Sequence, residues 1–223
     1  RAFVDENVVG LDVAMDHAAL VSVLQGAADF PGDLERGSNH VAEWAHNGTR
    51  ALVGHGLGAL VGMTFATRFP QSVDRIMAVS CPLDYQAVNA RLRTATLGEL
   101  TDWLSSRTPE ATTALSDASK ADAKAIGDSL VGLQANNVFN NFRTLNIPCL
   151  LVYGDKDPAI VIPDGEYSLS TMTHQVEMEN SGHFPMIDET TRFNRLLTDF
   201  LALDSGLSPR ELQMKEEWRR RVR

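Results

Sequence analysis

The chain has 223 residues, of which 43% are hydrophobic and 22% charged, a composition typical of one ordinary globular domain. Its formal net charge of −9 argues against a nucleic-acid partner, because nucleic acids are bound by basic surfaces. No run of about 18 apolar residues predicts a membrane span, and no signal-peptide pattern opens the chain. Cys81 and Cys149 lie on or beside predicted core strands, where buried reduced thiols are expected. We therefore predict a cytoplasmic protein.

The first 50 residues carry the weakest pattern. A short helical pattern over residues 39–45 leads through the turn residues Asn47 and Gly48 into an apolar run. The histidines of this region share no metal-ligand spacing, and no cysteine pair supports zinc. We therefore expect no metal site; these histidines are His17, His40 and His46.

The clearest local signal follows, over residues 50–70. The apolar run from Ala51 to Val53 breaks at once into Gly54-His55-Gly56-Leu57-Gly58, and a helical pattern then runs to Phe69 and ends at Pro70. This order predicts a strand, a very tight turn and a helix. Next, residues 75–80 form a continuous apolar strand, as expected in a parallel sheet that is covered on both faces.

Strand signals stop between residues 83 and 147, where helical patterns predict an insertion. The patterns cover residues 97–104 and an alanine-rich run over 109–133. Strands are predicted again at Cys149–Tyr153 and Gln175–Met178, followed by a helix from about Glu189 with a single apolar face. The alternation predicts an α/β fold, a mostly parallel sheet covered by helices on both faces, whose core comprises residues 1–82 and 148–205.

Residues 206–223 are predicted to form a separate basic amphipathic helix. Ser208, Pro209 and Glu211 together make a capping box at its start. The segment 209–223 carries six Lys or Arg and three Glu, so its charge is 6 − 3 = +3 and that of the remainder is −9 − 3 = −12. A basic helix joined to an acidic body predicts an oligomer or a protein partner, with a solvated tail as the alternative. Its apolar stripe is Met214, Trp218 and Val222.

Three motifs carry the chemistry. The turn Gly54-His55-Gly56-Leu57-Gly58 has the frame of Gly-x-Ser-x-Gly, a strained turn that presents a nucleophile, but Gly56 stands at the central position and has no side chain. Gly-Asp-Lys-Asp157-Pro follows one predicted strand, and Ser-Gly-His183-Phe-Pro follows the next. Asp157 fits an acid that orients His183 as a base; a structural turn aspartate and an idle loop histidine are the alternatives, and Asp155 is the rival acid.

On these motifs and their order, the chain resembles the α/β-hydrolase family, in its epoxide hydrolase, haloalkane dehalogenase and small-ester hydrolase branch. The resemblance covers roughly residues 43–203. It implies that the insertion 83–147 is a lid over a small-molecule pocket, that the Leu57 backbone N–H is an oxyanion donor, and that His55 packs. It also implies that the N-terminal strands are shortened or missing, since only 55 residues precede Gly56 and no His-Gly loop occurs there.

Without a nucleophile, efficient covalent catalysis is not expected, because loss of the serine in a well-studied protease lowers kcat by roughly 10⁶. Three hypotheses remain open. The protein is a degenerate hydrolase that serves binding or scaffolding; or it is a genuine ester hydrolase whose nucleophile was replaced; or His183 with Asp157 activates water directly. No cofactor is expected, because Gly54, Gly56 and Gly58 do not continue into a nucleotide-binding glycine pattern.

Overall fold

The computed structural model describes residues 51–94, 97–104, 131, 143, 145–163, 170–204 and 206–214. The expectations for residues 1–50, for the predicted helix 109–133 except residue 131, and for Trp218 and Val222 lie outside this set. In the described part of the chain, no helix is both long and apolar enough to cross a membrane.

A parallel sheet of four strands forms the centre of the described structure. The strands lie in the sheet in their sequence order, and all three neighbouring pairs are parallel. This confirms the predicted α/β class. The strands are β1 (Ala51–His55), β2 (Arg75–Val79), β3 (Cys149–Gly154) and β4 (Thr173–Met178).

Helices cover both faces of the sheet, as predicted. Strand side chains point alternately to either face, so Ile76 and Ala78 of β2 join one apolar cluster while Met77 and Val79 join the other. The first cluster contains helix α1 (Leu57–Arg68), which follows β1 directly. The second contains helices that follow β4: α4 (Pro185–Asp188) and α5 (Thr190–Leu201), whose predicted apolar face packs on the sheet. Two shorter helices, α2 (Arg91–Thr94) and α3 (Leu97–Leu104), lie between β2 and β3.

The segment after β2 is attached to the turn after β3. Val88 forms an isolated antiparallel bridge with Ile160. Beside it, the Asn89 N–H donates to the carbonyl of Ala159 over 2.8 Å, and the Val161 N–H donates to the carbonyl of Ala87 over 2.8 Å. The start of the predicted insertion therefore packs directly beside the turn that carries Asp157. Further along, α3 has the predicted bounds, and Leu100 within it is buried.

Arg75 is a buried charged residue at the start of β2, a strand that is otherwise apolar. Its side chain is 2% exposed and donates through Nη1 to the carbonyls of Phe200 and Leu201, over 2.8 and 3.1 Å. These carbonyls lie in the last turn of α5, where helix carbonyls lack intrahelical partners. Burial lowers the pKa of the guanidinium. Arg75 therefore fixes the C-terminal end of α5 to the start of β2.

The segment after α5 differs locally from the predicted helix. Residues Pro209–Met214 form a 3-10 helix, in which the Glu211 N–H donates to the backbone carbonyl of Ser208 instead of its hydroxyl. The Ser208 hydroxyl donates to the carbonyl of Thr171 over 2.8 Å. Leu212 is 3% exposed and joins the second apolar cluster. The described part of the segment is thus packed on the body of the protein.

Candidate active site

The turn from β1 into α1 keeps an unusual backbone at Gly56. Its φ of 53° and ψ of −118° are accessible to glycine at little cost but are strained for other residues. The Gly56 N–H donates to the carbonyl of Val79 over 2.8 Å, which joins the turn to the end of β2. Among the residues that the structure describes, no atom lies within 4 Å of an ideal Cβ placed on Gly56. The described part of the chain therefore leaves space for a side chain at this turn.

Leu57, the predicted oxyanion donor, is the first residue of α1. The N–H groups of the first helical turn have no acceptor within their own helix. They also lie at the positive end of the helix dipole. The Leu57 N–H therefore lies at the positive end of α1, next to Gly56 in the chain.

Asp157 lies in the turn after β3, and its carboxylate is held from several sides. The side chain has no exposed surface. Its Oδ1 accepts from the N–H groups of Ala159 and Ile160, over 2.8 and 3.2 Å. Burial tends to raise the pKa of this carboxyl, but the hydrogen bond and positive potential of His183, with the Ala159 N–H and the Ser80 hydroxyl, lower it overall. Asp157 is therefore an ionised acceptor at neutral pH.

His183 follows β4, and its ring faces this carboxylate. Nδ1 lies 3.0 Å from Oδ2 and 3.1 Å from Oδ1 of Asp157, which is within the hydrogen-bonding distance that two adjacent strand ends predict. Because an ionised carboxylate only accepts hydrogen bonds, Nδ1 must carry the proton. In the neutral imidazole, Nε2 is then the unprotonated nitrogen. The arrangement can take a proton from a hydroxyl or from water.

Asp155, the rival acid, has a different partner. It is exposed, and its Oδ1 accepts from the Ser181 N–H over 3.1 Å. Asp188 of α4 accepts in the same way from the Gly182 N–H over 2.7 Å. Both carboxylates therefore hold the backbone of the loop that leads to His183, whereas Asp157 contacts the imidazole itself.

His55 has a more specific contact than the packing role that was predicted. Its Nε2 lies 2.8 Å from the backbone carbonyl of His183 and must donate to it, since a carbonyl only accepts. The ring stacks on Phe184 with centroids 5.0 Å apart. Burial, followed by the positive potential of His183, lowers the pKa of His55 to about 3. His55 is therefore a neutral donor.

Ser80, which the sequence analysis did not single out, meets the same carbonyl. Its hydroxyl donates to the His183 carbonyl over 3.0 Å, and the residue has no exposed surface. Its φ of 45° is in the left-handed region. In sequence, Ser80 reads only as the end of an apolar strand, and no local pattern reveals a partner 103 residues away.

The neutral, buried state of His55 predicts a stability that falls in mild acid. The unfolded chain takes up a proton on this residue near pH 6.5, whereas the folded chain does so only near pH 3. The unfolded state therefore binds more protons between these values, and the free energy of unfolding falls as the pH falls from 6.5 toward 3. Urea unfolding at several pH values should show this decline, and His55→Gln should flatten it.

His174→Gln is the matched control for that measurement. Burial and the nearby Arg210 lower the pKa of His174, so its contribution has the same sign. However, His174 lies on β4, at the opposite edge of the described sheet from His55 on β1. An equal slope in His55→Gln and the parent chain would contradict the assignment of His55 as buried and neutral.

The described side chains give no sign of a metal centre. Among the residues described, no three or more His, Cys, Asp or Glu side chains form a group that could hold a metal ion.

Residues 10–196 match the model of a family described as the alpha/beta hydrolase family. The chain belongs to the alpha/beta hydrolase family. An uncharacterized protein of Mycobacterium tuberculosis H37Rv is 29% identical over 187 residues, a match that covers 67% of this alpha/beta hydrolase chain and 55% of the relative. An uncharacterized protein of Mycobacterium bovis matches to the same extent. The chain thus spans about half the length of these relatives.

Solved structures support the same alpha/beta hydrolase fold. A serine-to-glycine variant of the N-acyl homoserine lactonase AidH, complexed with N-hexanoyl homoserine lactone, aligns with a TM-score of 0.64 at 15% identity, covering 76% of this chain and 69% of that one. A thermophilic esterase gives 0.61 at 16%, covering 75% and 71%. A variant of an epoxide hydrolase from Bacillus megaterium gives 0.53 at 16%, covering 76% and 75%. At these identities the likeness concerns the fold alone.

Proposed function

We propose that this chain is a catalytically degenerate alpha/beta hydrolase that binds a small carbonyl compound, of ester or lactone type, without forming a covalent acyl intermediate. One observation carries the proposal. At the elbow, the tight turn of residues 54–58 between β1 and α1, Gly56 has a left-handed φ of 53°. No atom of the described residues lies within 4 Å of an ideal Cβ on it, but glycine has no side-chain atom to attack. In this reading, Gly56 is the nucleophile position, and Asp157, His183 and the Leu57 N–H are the rest of the site.

The surroundings of the elbow fit such a ligand. The Leu57 N–H at the start of α1 supplies a donor for a carbonyl oxygen. Partly buried apolar side chains pack against the apolar cluster on the α1 face of the sheet, and we propose that they bind the acyl group; among them are Leu57, Tyr85, Trp103 and Ile162. The AidH variant lends support by analogy, because that protein was crystallised with an acyl lactone although a serine had been replaced by glycine. We propose that the insertion 83–147 acts as the lid over this pocket.

A second candidate function is slow hydrolysis by activated water. The observation that favours it is the contact of His183 Nδ1 with Asp157, which makes Nε2 the acceptor nitrogen of the neutral imidazole. A water molecule in the open space above Gly56 would give its proton to Nε2, and its oxygen would attack the ligand's carbonyl carbon. The departing alkoxide would then take that proton back. Such general-base assistance contributes typically 10²–10⁴-fold, roughly, and far less than a full triad.

Steady-state hydrolysis of p-nitrophenyl acetate separates the two functions. For the binding protein, we expect the chain to hydrolyse the ester no faster than His183→Ala does, because Gly56 offers no atom for acyl transfer. Binding is measured in parallel by calorimetry with a short-chain acyl lactone, and Asp157→Asn serves as a second variant. A large loss of rate in His183→Ala would contradict the binding function and support water activation.

We also propose that residues 206–223 form an association element that joins a second copy of the chain or another protein. The segment 209–223 carries a charge of +3 against −12 for the remainder, which favours an acidic partner surface. Its start is packed on the body through Leu212 and Ser208. The cysteines are both free and buried, which supports a reducing compartment and hence the cytoplasm.

Removal of residues 215–223 should lower the number of chains per particle, as obtained from the molar mass in light scattering. The truncation deletes most of the basic charge while the packed residues 209–214 remain. A truncation after residue 206 is the comparison, since it also removes Leu212 and should lower the thermal midpoint. An unchanged number of chains per particle in both truncated proteins would show that the segment holds no partner.

A further inference from the structure

The backbone carbonyl of His183 accepts two side-chain hydrogen bonds. His55 donates from Nε2 over 2.8 Å, and Ser80 donates from its hydroxyl over 3.0 Å. The donors come from the ends of β1 and β2, which are neighbours in the sheet, while His183 comes from the loop after β4. One carbonyl thus joins three parts of the chain that are far apart in sequence.

We propose that His55 and Ser80 are positioning residues, which hold the backbone of His183 so that its imidazole is fixed between Asp157 and the open space above Gly56. The inference rests on the proposed role of His183 as the base of the site. Asp157 alone holds the ring at one nitrogen, about which the imidazole and its loop could still shift. The bonds at the carbonyl add a second fixed point on the same residue.

The connection to the elbow is direct, because His55 is bonded to Gly56 through one peptide link. Any displacement of His183 away from the elbow must break the His55 hydrogen bond or carry β1 with it. The ring of His55 is held in turn by Phe184, on which it stacks, and its centroid lies 4.7 Å from that of His183. His183 and His55, the residue next to Gly56, are therefore held together by packed side chains.

Ser80 donates to the same carbonyl, and its backbone conformation is one that favours glycine. Its φ is 45°, so a glycine would adopt this conformation more easily than serine does. What the serine supplies beyond glycine is its hydroxyl, which is buried and bonded to His183. Its second neighbour is Asp157, whose pKa it helps to lower. The hydroxyl has one proton, so it serves one acceptor at a time.

The test observes the Nδ1 proton of His183 by NMR in the free protein, so it needs no ligand and no activity. His55→Phe keeps a flat ring on Phe184 but removes the donor, and Ser80→Gly removes the hydroxyl while it accommodates the backbone. We expect this proton to exchange with solvent about tenfold faster in each variant, as for the loss of one buried hydrogen bond. His55→Gln, which restores an N–H donor, should recover slower exchange.

Thr67→Val is the matched control, since it removes a side-chain bond to the Met63 carbonyl in α1 and leaves the His183 carbonyl untouched. Its Nδ1 proton should exchange as in the parent chain. Unchanged exchange in both His55→Phe and Ser80→Gly would overturn the proposal. If His55→Phe fails to fold, Ser80→Gly and His55→Gln decide the matter. A ligand that does not bind would contradict the proposed function but leave this result intact.

Discussion

Replacement of Gly56 by serine is expected to create a nucleophile that reacts with a fluorophosphonate probe, whereas the parent chain should not be labelled at this position. The new Cβ would meet no atom of the described residues within 4 Å, and the proposed base, His183, is held at Nδ1 by Asp157. In a well-studied protease the serine is worth roughly 10⁶ in kcat, so the gain in ester hydrolysis should reach several orders of magnitude. Labelling and p-nitrophenyl acetate kinetics measure it.

Gly56→Ala is the matched control for this experiment. Serine and alanine both carry a Cβ at a φ of 53°, so each should lower the free energy of unfolding by about 1–3 kcal/mol. Only serine supplies the hydroxyl, and His183→Ala in the serine background should remove its reactivity. Equal reactivity of the serine and alanine variants would show that Gly56 is not at a nucleophile position.

Gly154→Ala should be among the most destabilising small substitutions in the described sheet. A Cβ at the end of β3 would lie 2.1 Å from the carbonyl oxygen of Gly182 and 2.4 Å from that of Ser181. Both obstacles are backbone atoms of the loop that carries His183, so relief requires movement of the loop. We expect a loss of about 3 kcal/mol in the free energy of unfolding, at the upper end for overpacking. Urea unfolding measures it.

Gly182→Ala tests whether the effect comes from the close approach. A Cβ on Gly182 would meet the Asp188 Oδ2 at 3.4 Å, an ordinary contact. Its stability should stay much closer to that of the parent chain. Similar losses in the two variants would mean that the spacing between β3 and the loop does not control stability.

Much of the central fold could be predicted from sequence, because β2 and β3 are largely apolar runs that are buried along their whole length. Parallel strands buried on both faces have this pattern. The helix after Glu189 was predictable because its apolar positions share one face. The 3-10 form of residues 209–214 was not, since a capping box indicates where a helix starts but leaves the hydrogen-bond register to tertiary contacts, here those of Ser208 and Leu212.

In the candidate site, the close approach of Asp157 and His183 followed from two motifs at the ends of neighbouring strands. The contacts of His55 and Ser80 did not, because each joins a side chain to a backbone carbonyl more than a hundred residues away. A backbone carbonyl has no sequence signature. Arg75 was missed for the same reason, since its partners are the terminal carbonyls of α5.

The backbone of Ala159 connects the carboxylate of Asp157 to the segment beside Val88. The Ala159 N–H donates to Asp157 over 2.8 Å, while its carbonyl accepts from the N–H of Asn89 over 2.8 Å. A ligand that shifts the segment around Asn89 must therefore break the second bond or move the carboxylate that holds His183. If the proposed ligand shifts this segment, its binding and the contact between Asp157 and His183 are coupled equilibria. Each must alter the other by the same factor, because such coupling is reciprocal.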